Sequence, residues 1–351
     1  MIKGASLFTN VGIDEHYFEK NGIKIVLANE LLENRSKFYK HLYPESEMIQ
    51  GDITQKEIFD LLIQKFIDKK CSFLIATPPC QGMSIAGRMD PKDKRNELIK
   101  YVIKFVKQTL PDNILIENVP NLLKFSINVN KKNVLIKDYI VNEFTKMGYY
   151  VNFSILDAAD YKTPQHRKRA IFLISKISNW ELPKKSEVIT VKDAIYDLPT
   201  LESGEKSEIK YHYSKKHNIN QVLWMKNTPS GKTAFDNKIN FPQLSNGQKI
   251  KGFKTTYKRI SWDKPAPTIT MANGSISSQN NVHPGRELKD KTFSDARVLT
   301  ILELLRLTGL PDDWNIPEWA SDNFVRQVIG ESFPPKFAEE IIKNIPRKKK
   351  K

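Results

Sequence analysis

Ala76-Thr77-Pro78-Pro79-Cys80-Gln81-Gly82-Met83-Ser84 follows directly on the apolar run Phe73-Leu74-Ile75. A buried strand that meets Pro-Pro stops there, because proline lacks the N–H for the ladder and fixes its own φ. Cys80 is thereby presented just past the carboxyl end of a strand, the edge at which open α/β sheets hold ligands. A lone cysteine is more often a buried structural thiol. Proline, glutamine and glycine make poor core filler, so this placement favours a nucleophile.

The sheet that such a strand needs can be read on either side of it. Ala5–Phe8, Ile23–Ala28 (ending at Asn29-Glu30), Met48–Asp52, Asn113–Val119, Tyr149–Leu156 and Arg169–Ile174 have strand character. Helical spacing marks 15–20, 33–42, 58–67 and 98–106. Regular alternation with short connections predicts an α/β fold with a doubly wound, mostly parallel sheet. The character changes near Trp180. Residues 181–290 are rich in Lys, Asn, Ser, Gly and Pro, and Tyr211, Tyr213, Trp224, Phe235, Phe241, Phe253, Tyr257 and Trp262 interleave with basic residues. That pattern predicts a smaller, irregular domain whose aromatics form either a nucleic-acid surface or a small core. Order returns at Thr300-Ile301-Leu302-Glu303, which fits a capping box, with a helix to Leu307 and a stop at Gly309. A last helix is expected from Lys336 to Asn344, after Pro334-Pro335.

Composition bounds the partners. At 351 residues the chain has room for two domains. No apolar stretch approaches the ~20 residues needed to span a bilayer, and Met1-Ile2-Lys3-Gly4 lacks a secretory layout. Cys71 and Cys80 are too few for a disulfide scaffold or a cysteine zinc site, and the six histidines are scattered. A reducing, cytoplasmic setting without a metal or membrane is the expectation. Fifty-six Lys and Arg against 40 Asp and Glu give a net charge of +16. The tail Arg347-Lys348-Lys349-Lys350-Lys351 reads as a solvated end, yet the body without it stays basic. An excess of that size suits a polyanion, with counterion release driving association.

Four segments in order carry a family resemblance. These are Pro79-Cys80-Gln81, Glu117-Asn118-Val119, Gln165-His166-Arg167-Lys168-Arg169, and Arg297-x-x-Thr300-x-x-Glu303-x-x-Arg306-Leu307-x-Gly309-x-Pro311. Together they resemble the cytosine-5 DNA methyltransferases of bacterial restriction–modification systems, over nearly the whole chain except roughly residues 200 to 256. The resemblance implies a Rossmann-like catalytic domain binding S-adenosyl-L-methionine over 1–180 and a target-recognition domain over 181–320. It also implies that the segment 321–351 returns to the first domain. Duplex DNA is the implied partner, with a cognate restriction endonuclease as a functional one. A tRNA methyltransferase of the same architecture and a non-catalytic DNA-binding regulator are the alternatives.

The chemistry explains why these residue types occur together. Cytosine C5 is a poor nucleophile until a thiolate adds at C6, the role implied for Cys80. Arg167 or Arg169 would stabilise that thiolate. Glu117 would hold a proton against N3, and Arg169, with Arg167, would bind the O2 side. The target atom is hidden in a duplex, so base flipping is implied. The segment 82–95 suits a closing loop, with Gln81, Ser84, Arg88 and Arg95 implied at the DNA. For the cofactor, the family's Phe-x-Gly-x-Gly turn corresponds to Phe8-Thr9-Asn10-Val11-Gly12, with Asn10 in place of the first glycine. Asn tolerates left-handed backbone better than other non-glycine residues. Glu30 would bind the ribose hydroxyls and Asp52 the adenine amino group, with Ile53 and Phe8 flanking the ring. Pro79, Leu98, Glu331 and Ser332 complete the implied cofactor set. Glu331 departs from the family's usual Asn, and would either face the cofactor's ammonium group or point away.

Overall fold

The computed structural model describes residues 1–79 and 93–348. They fall into two compact units. The first comprises Met1–Asp157, Lys168–Lys185 and Phe337–Lys351, and the second comprises Ala158–Arg167 and Ser186–Lys336. These limits differ from the expected divisions at 180/181 and 320/321. Residues 158–167 sit with the second unit because His166 N–H donates to Ala266 O and Arg167 donates to the carbonyls of Ile269 and Gly330. The return to the first unit begins only at Phe337.

In the first unit the chain forms β1 (Ile2–Leu7), β2 (Ile23–Glu30), α1 (Glu33–Leu42), β3 (Glu47–Gln50), α2 (Lys56–Asp68) and β4 (Phe73–Ala76). It continues through α3 (Leu98–Thr109), β5 (Asn113–Asn118), the small hairpin β6 (Ser126–Val129) and β7 (Lys132–Leu135), α4 (Ile136–Lys146), β8 (Tyr150–Asp157) and β9 (Lys168–Ser175). The seven-stranded sheet has the order β3-β2-β1-β4-β5-β9-β8. It is parallel through β5, and β9 alone runs opposite to its neighbours β5 and β8. Every residue of β4 and β5 is buried, as expected of strands covered on both faces. The pleat sends Leu27 into the core shared with α2, α3 and α4, and its neighbour Ala28 to the other face with Tyr39 of α1.

The helix expected over 15–20 does not form. Glu15, His16 and Phe18 donate to carbonyls three residues back, giving turns and a single 3₁₀ turn at Glu19–Asn21. The run His16-Tyr17-Phe18 has low helix propensity, and the Glu15 side chain is held inward by Thr9 and Tyr39.

The second unit carries the short helices α5 (Val191–Ile195), α6 (Ile219–Lys226), α7 (Ile301–Thr308) and α8 (Asp322–Glu331), joined by isolated bridges rather than a sheet. Its apolar core is small, built from Val222, Trp224, Met225, Ala234, Ile276, Val282, Ala296 and Val298, with Tyr257 packed on it. Buried charge completes it. Arg297 sits between Asp295 (2.8 Å) and Glu303 (2.9 Å), and Arg259 donates to the carbonyls of Met225, His283, Ser294 and Asp295. Trp224 is thus core, whereas Phe253 is 77% exposed. Finally α9 (Pro335–Ile342) leads the chain back into the first unit. There Trp180 Nε1 donates to Ile341 O, Lys20 pairs with Glu339, and Asn113 Nδ2 donates to Pro346 O. No helix among the described residues is long and apolar enough to cross a membrane.

Candidate functional site

The carboxyl ends of β1, β2, β4 and β5 bring the first unit's chemistry-bearing residues together. β4 and β5 lie side by side, with Ala76 opposite Ile116. Their exits are tied to one another by Asn118 Nδ2 donating to Pro78 O at 2.9 Å. Thr77 Oγ1 donates to Phe8 O at 3.0 Å, fixing the same exit to the end of β1. Because β9 runs antiparallel to β5, Ile171 lies opposite Glu117. Arg169, two residues away on the same face, then reaches Glu117 diagonally. Arg169 Nε lies 2.5 Å from Glu117 Oε1, with both side chains nearly buried. A buried carboxylate with a fixed cation beside it is a preorganised pair that can hold a planar polar ring by hydrogen bonds.

Beyond β1 the backbone turns through three left-handed residues, Phe8 (φ 61), Asn10 (φ 53) and Gly12 (φ 74). Gly12 has no alternative. A Cβ there would lie 2.6 Å from Tyr43 and 2.7 Å from Tyr39 ring atoms, on top of the backbone strain. The turn is held from beneath. Thr9 Oγ1 and Tyr39 Oη donate to the Glu15 carboxylate at 2.6 and 2.8 Å, and Tyr43 Oη donates to Gly12 O at 2.6 Å. Burial raises the pKa of Glu15 and pushes Asp14 well up, the charges of Glu15 and Glu117 adding to the second shift. Sequence reasoning passed over Asp14, Glu15, Tyr39 and Tyr43. Their signal was a pair of acids closing the otherwise apolar Val11-Gly12-Ile13.

Glu30 ends β2 with Oε2 accepting from Asn10 N–H and Oε1 from Leu32 N–H, each at 2.9 Å. Burial raises its pKa. Asp52 Oδ1 accepts from Thr54 N–H at 2.8 Å in an Asx turn. Ile53 is buried in the sheet's core, with Phe8 and Leu98 packed against that core. Two carboxylates on adjacent strand ends, flanked by apolar side chains, form an acceptor set that fits the hydroxyls and amino group of a ribose–adenine ligand.

Glu331 and Ser332, like Arg167, belong to the second unit. The Arg167 guanidinium is buried there and donates to Ile269 O (2.9 Å) and Gly330 O (3.0 Å). It clamps the end of α8 to the 269–271 segment, which packs so closely that a Cβ on Gly330 would lie 2.2 Å from Thr270 O. Ser332 Oγ donates to Ile329 O at 2.8 Å, and Glu331 accepts from Gln327 at 3.3 Å, both closing the same helix end. Arg95 forks onto Asp93, its Nε 2.9 Å from Oδ1 and its Nη2 2.5 Å from Oδ2. The Arg95 side chain is 46% exposed and that of Asp93 15%, so solvent screens the pair in part. Cys80, Gln81, Ser84 and Arg88 lie outside the described residues; Pro79 is the last described residue before them. The other cysteine, Cys71, has its thiol pKa pushed up to about 11 by burial, which makes it a poor thiolate. Among the described residues no group of His, Cys, Asp and Glu is arranged to hold a metal ion.

A family model described as C-5 cytosine-specific DNA methylase matches residues 2–347. The chain is 48% identical over 350 residues to Type II methyltransferase M1.HgaI of Avibacterium volantium, covering 98% of each chain. It is 29% identical to Type II methyltransferase M1.HphI of Haemophilus parahaemolyticus, covering 95% of this chain and 84% of that one. Among solved structures, a candidate DNA modification methyltransferase encoded within a prophage (E. coli) superposes with a TM-score of 0.68. At 21% identity and 98% coverage of both chains, that likeness shows the shared fold: a mixed, mostly parallel sheet with helices.

Proposed function

This chain belongs to the C-5 cytosine-specific DNA methylase family and is a DNA cytosine-5 methyltransferase; from that premise we propose that it acts through a transient bond between Cys80 and cytosine C6. The methyl donor in this reading is S-adenosyl-L-methionine, which when bound supplies an electrophilic sulfonium methyl group. Glu30 and Asp52 would hold its ribose and adenine, with Phe8 and Ile53 against the ring and the Asn10–Gly12 turn beside its amino-acid end. The substrate is a cytosine turned out of a short duplex sequence, and the modification protects that sequence from a cognate endonuclease.

Cys80, as thiolate, gives its electron pair to C6, and the ring electrons move onto C5. Glu117 carries a proton to N3 and so neutralises the charge that develops as sulfur adds. Arg169 keeps Glu117 oriented and faces the O2 side of the base. C5 would take up the methyl group, the S–CH3 electron pair staying with the donor sulfur; solvent removes the C5 proton, the C6–S bond breaks to restore the C5–C6 double bond and the thiolate, and the N3 proton returns to Glu117. The observation that carries this reading is the 2.5 Å Arg169–Glu117 pair at strand ends tied to the Pro78-Pro79 exit.

Incubation with duplex DNA bearing 5-fluorocytosine should trap an adduct, because fluorine cannot leave as the proton does. Peptide mapping should find it on Cys80, and Cys80→Ser should abolish transfer while keeping cofactor affinity. Glu117→Gln should lower the rate by ~10²-fold or more, the usual scale for a positioned acid. An adduct on Cys71, or normal turnover by Cys80→Ser, would overturn the mechanism.

A further inference from the structure

The Lys- and Asn-rich stretch outside the family motifs contains an ordered projection at 243–249. Pro242 is buried and Ile250 packs on the second unit's core, so the base is anchored. Between them Gln243 and Lys249 form an antiparallel bridge, Leu244 N–H donates to Gln248 O at 2.9 Å, and Gly247 N–H donates to Leu244 O at 2.9 Å. Asn246 Oδ1 accepts from Gln248 N–H at 3.0 Å, and Gly247 supplies the left-handed residue at φ 83. All of 243–249 and 251–254 are exposed. A hairpin anchored below and solvated throughout its tip contributes nothing to a core through those side chains.

Its chemistry is one-sided. No carboxylate occurs between Asp236 and Asp263, while Lys238, Lys249, Lys251, Lys254 and Lys258 do. The side-chain amides of Gln243 and Gln248 have no hydrogen-bond partner among the described residues. Lys249 is placed 4.4 Å over the Phe241 ring, and among the described residues Lys254 has only the exposed partner Asp236 at 3.5 Å.

We propose that the hairpin 243–249 is a base-reading element: the amides of Gln243 and Gln248 contact base edges in the major groove, and Lys249, Lys251 and Lys254 hold the flanking phosphates. This rests on the DNA methyl-transfer reading above. A two-stranded ribbon fits a major groove about 12 Å wide, and a Gln amide matches adenine N6 and N7 with two hydrogen bonds. The deep, narrow major groove of A-form RNA excludes such a ribbon. Phosphate contacts set register and carry no sequence information, so the two sets of residues must behave differently when removed.

The test is methylation of a duplex library with randomised sequence around cytosine, read by bisulfite sequencing. The wild type should methylate a defined motif. Gln243→Ala and Gln248→Ala should each relax one position of it, losing roughly 10- to 100-fold in discrimination, with unchanged melting and cofactor affinity. Gln248→Glu should shift the preferred base toward cytosine, whose N4 amino group a carboxylate accepts from. Lys251→Ala and Lys254→Ala should keep the motif, weaken binding to all sequences alike, and reduce the slope of log K against log salt by about 1 each. A wild type that leaves every library cytosine unmodified would defeat the proposed function itself. A wild type with a defined motif that both Gln→Ala variants reproduce unchanged would defeat this inference alone.

Discussion

Arg167 and Arg169 stand two residues apart in one motif, yet they serve different structures. Arg169 extends from β9 to Glu117, while Arg167 is fixed by the carbonyls of Ile269 and Gly330. The identity of both residues was legible in the chain. Which arginine meets the carboxylate was not, because that follows from the reversed direction of β9, a property of strand pairing rather than of local sequence. His283 gives the clearest prediction at this scale. Burial pushes its pKa down to about 4, with Arg297 and Arg259 also disfavouring its charge and only Glu303 and Asp295 opposing them. Between pH 6.5 and 4 the unfolded chain therefore binds a proton that the folded chain refuses. Stability present above pH 6.5 is lost as pH falls toward 4, by on the order of 3 kcal/mol at full protonation of the unfolded form. Urea midpoints measured at pH 7.5 and pH 5.0 should show the loss, and His283→Gln should shrink it. An equal loss in that variant would rule out this histidine as the source.

Helix α7 shows how an element can be read from four letters. Thr300 Oγ1 accepts from Glu303 N–H, the Glu303 carboxylate accepts from Thr300 N–H, and Gly309 closes the helix at φ 87. Helix α8 was just as legible in principle, with Ser321 as its cap and Val325, Val328 and Ile329 on one face, but its surroundings read as irregular and the pattern was passed over. The capping acid of α7 also has a second task that no cap motif reveals. Although burial pushes the Glu303 carboxyl up, the Arg297 guanidinium beside it holds it down at about 2. The two capping residues should therefore differ sharply on mutation. Thr300→Ala removes a cap and should cost about 1 kcal/mol. Glu303→Ala removes one of the two carboxylates on the buried Arg297 as well as the cap, leaving Asp295 as its one ion-pair partner among the described residues, and should cost roughly 3 kcal/mol. Urea unfolding of both variants decides it, and equal costs would mean that Asp295 alone satisfies Arg297.

Across the whole molecule, alternation of strands and helices announced the doubly wound sheet, because each buried strand is a continuous apolar run. The second unit gave no such signal, since buried arginines and backbone carbonyls replace a periodic apolar face there. The chain passes between the units four times, so neither is a single continuous segment. Phe337, Ala338, Ile341, Ile342 and Ile345 are all at most 5% exposed, and they complete the first unit from the far end of the sequence. Deleting residues 337–351 should abolish a cooperative thermal transition and cofactor binding together. A truncated protein that melts normally and still binds cofactor would show that segment to be dispensable. During translation, the Trp180 indole and the Asn113 amide must wait for Ile341 and Pro346 to leave the ribosome before they find the carbonyls they bond. The unit begun first is therefore finished last, and a nascent chain stalled anywhere in between exposes an unsealed sheet to the chaperones of its host.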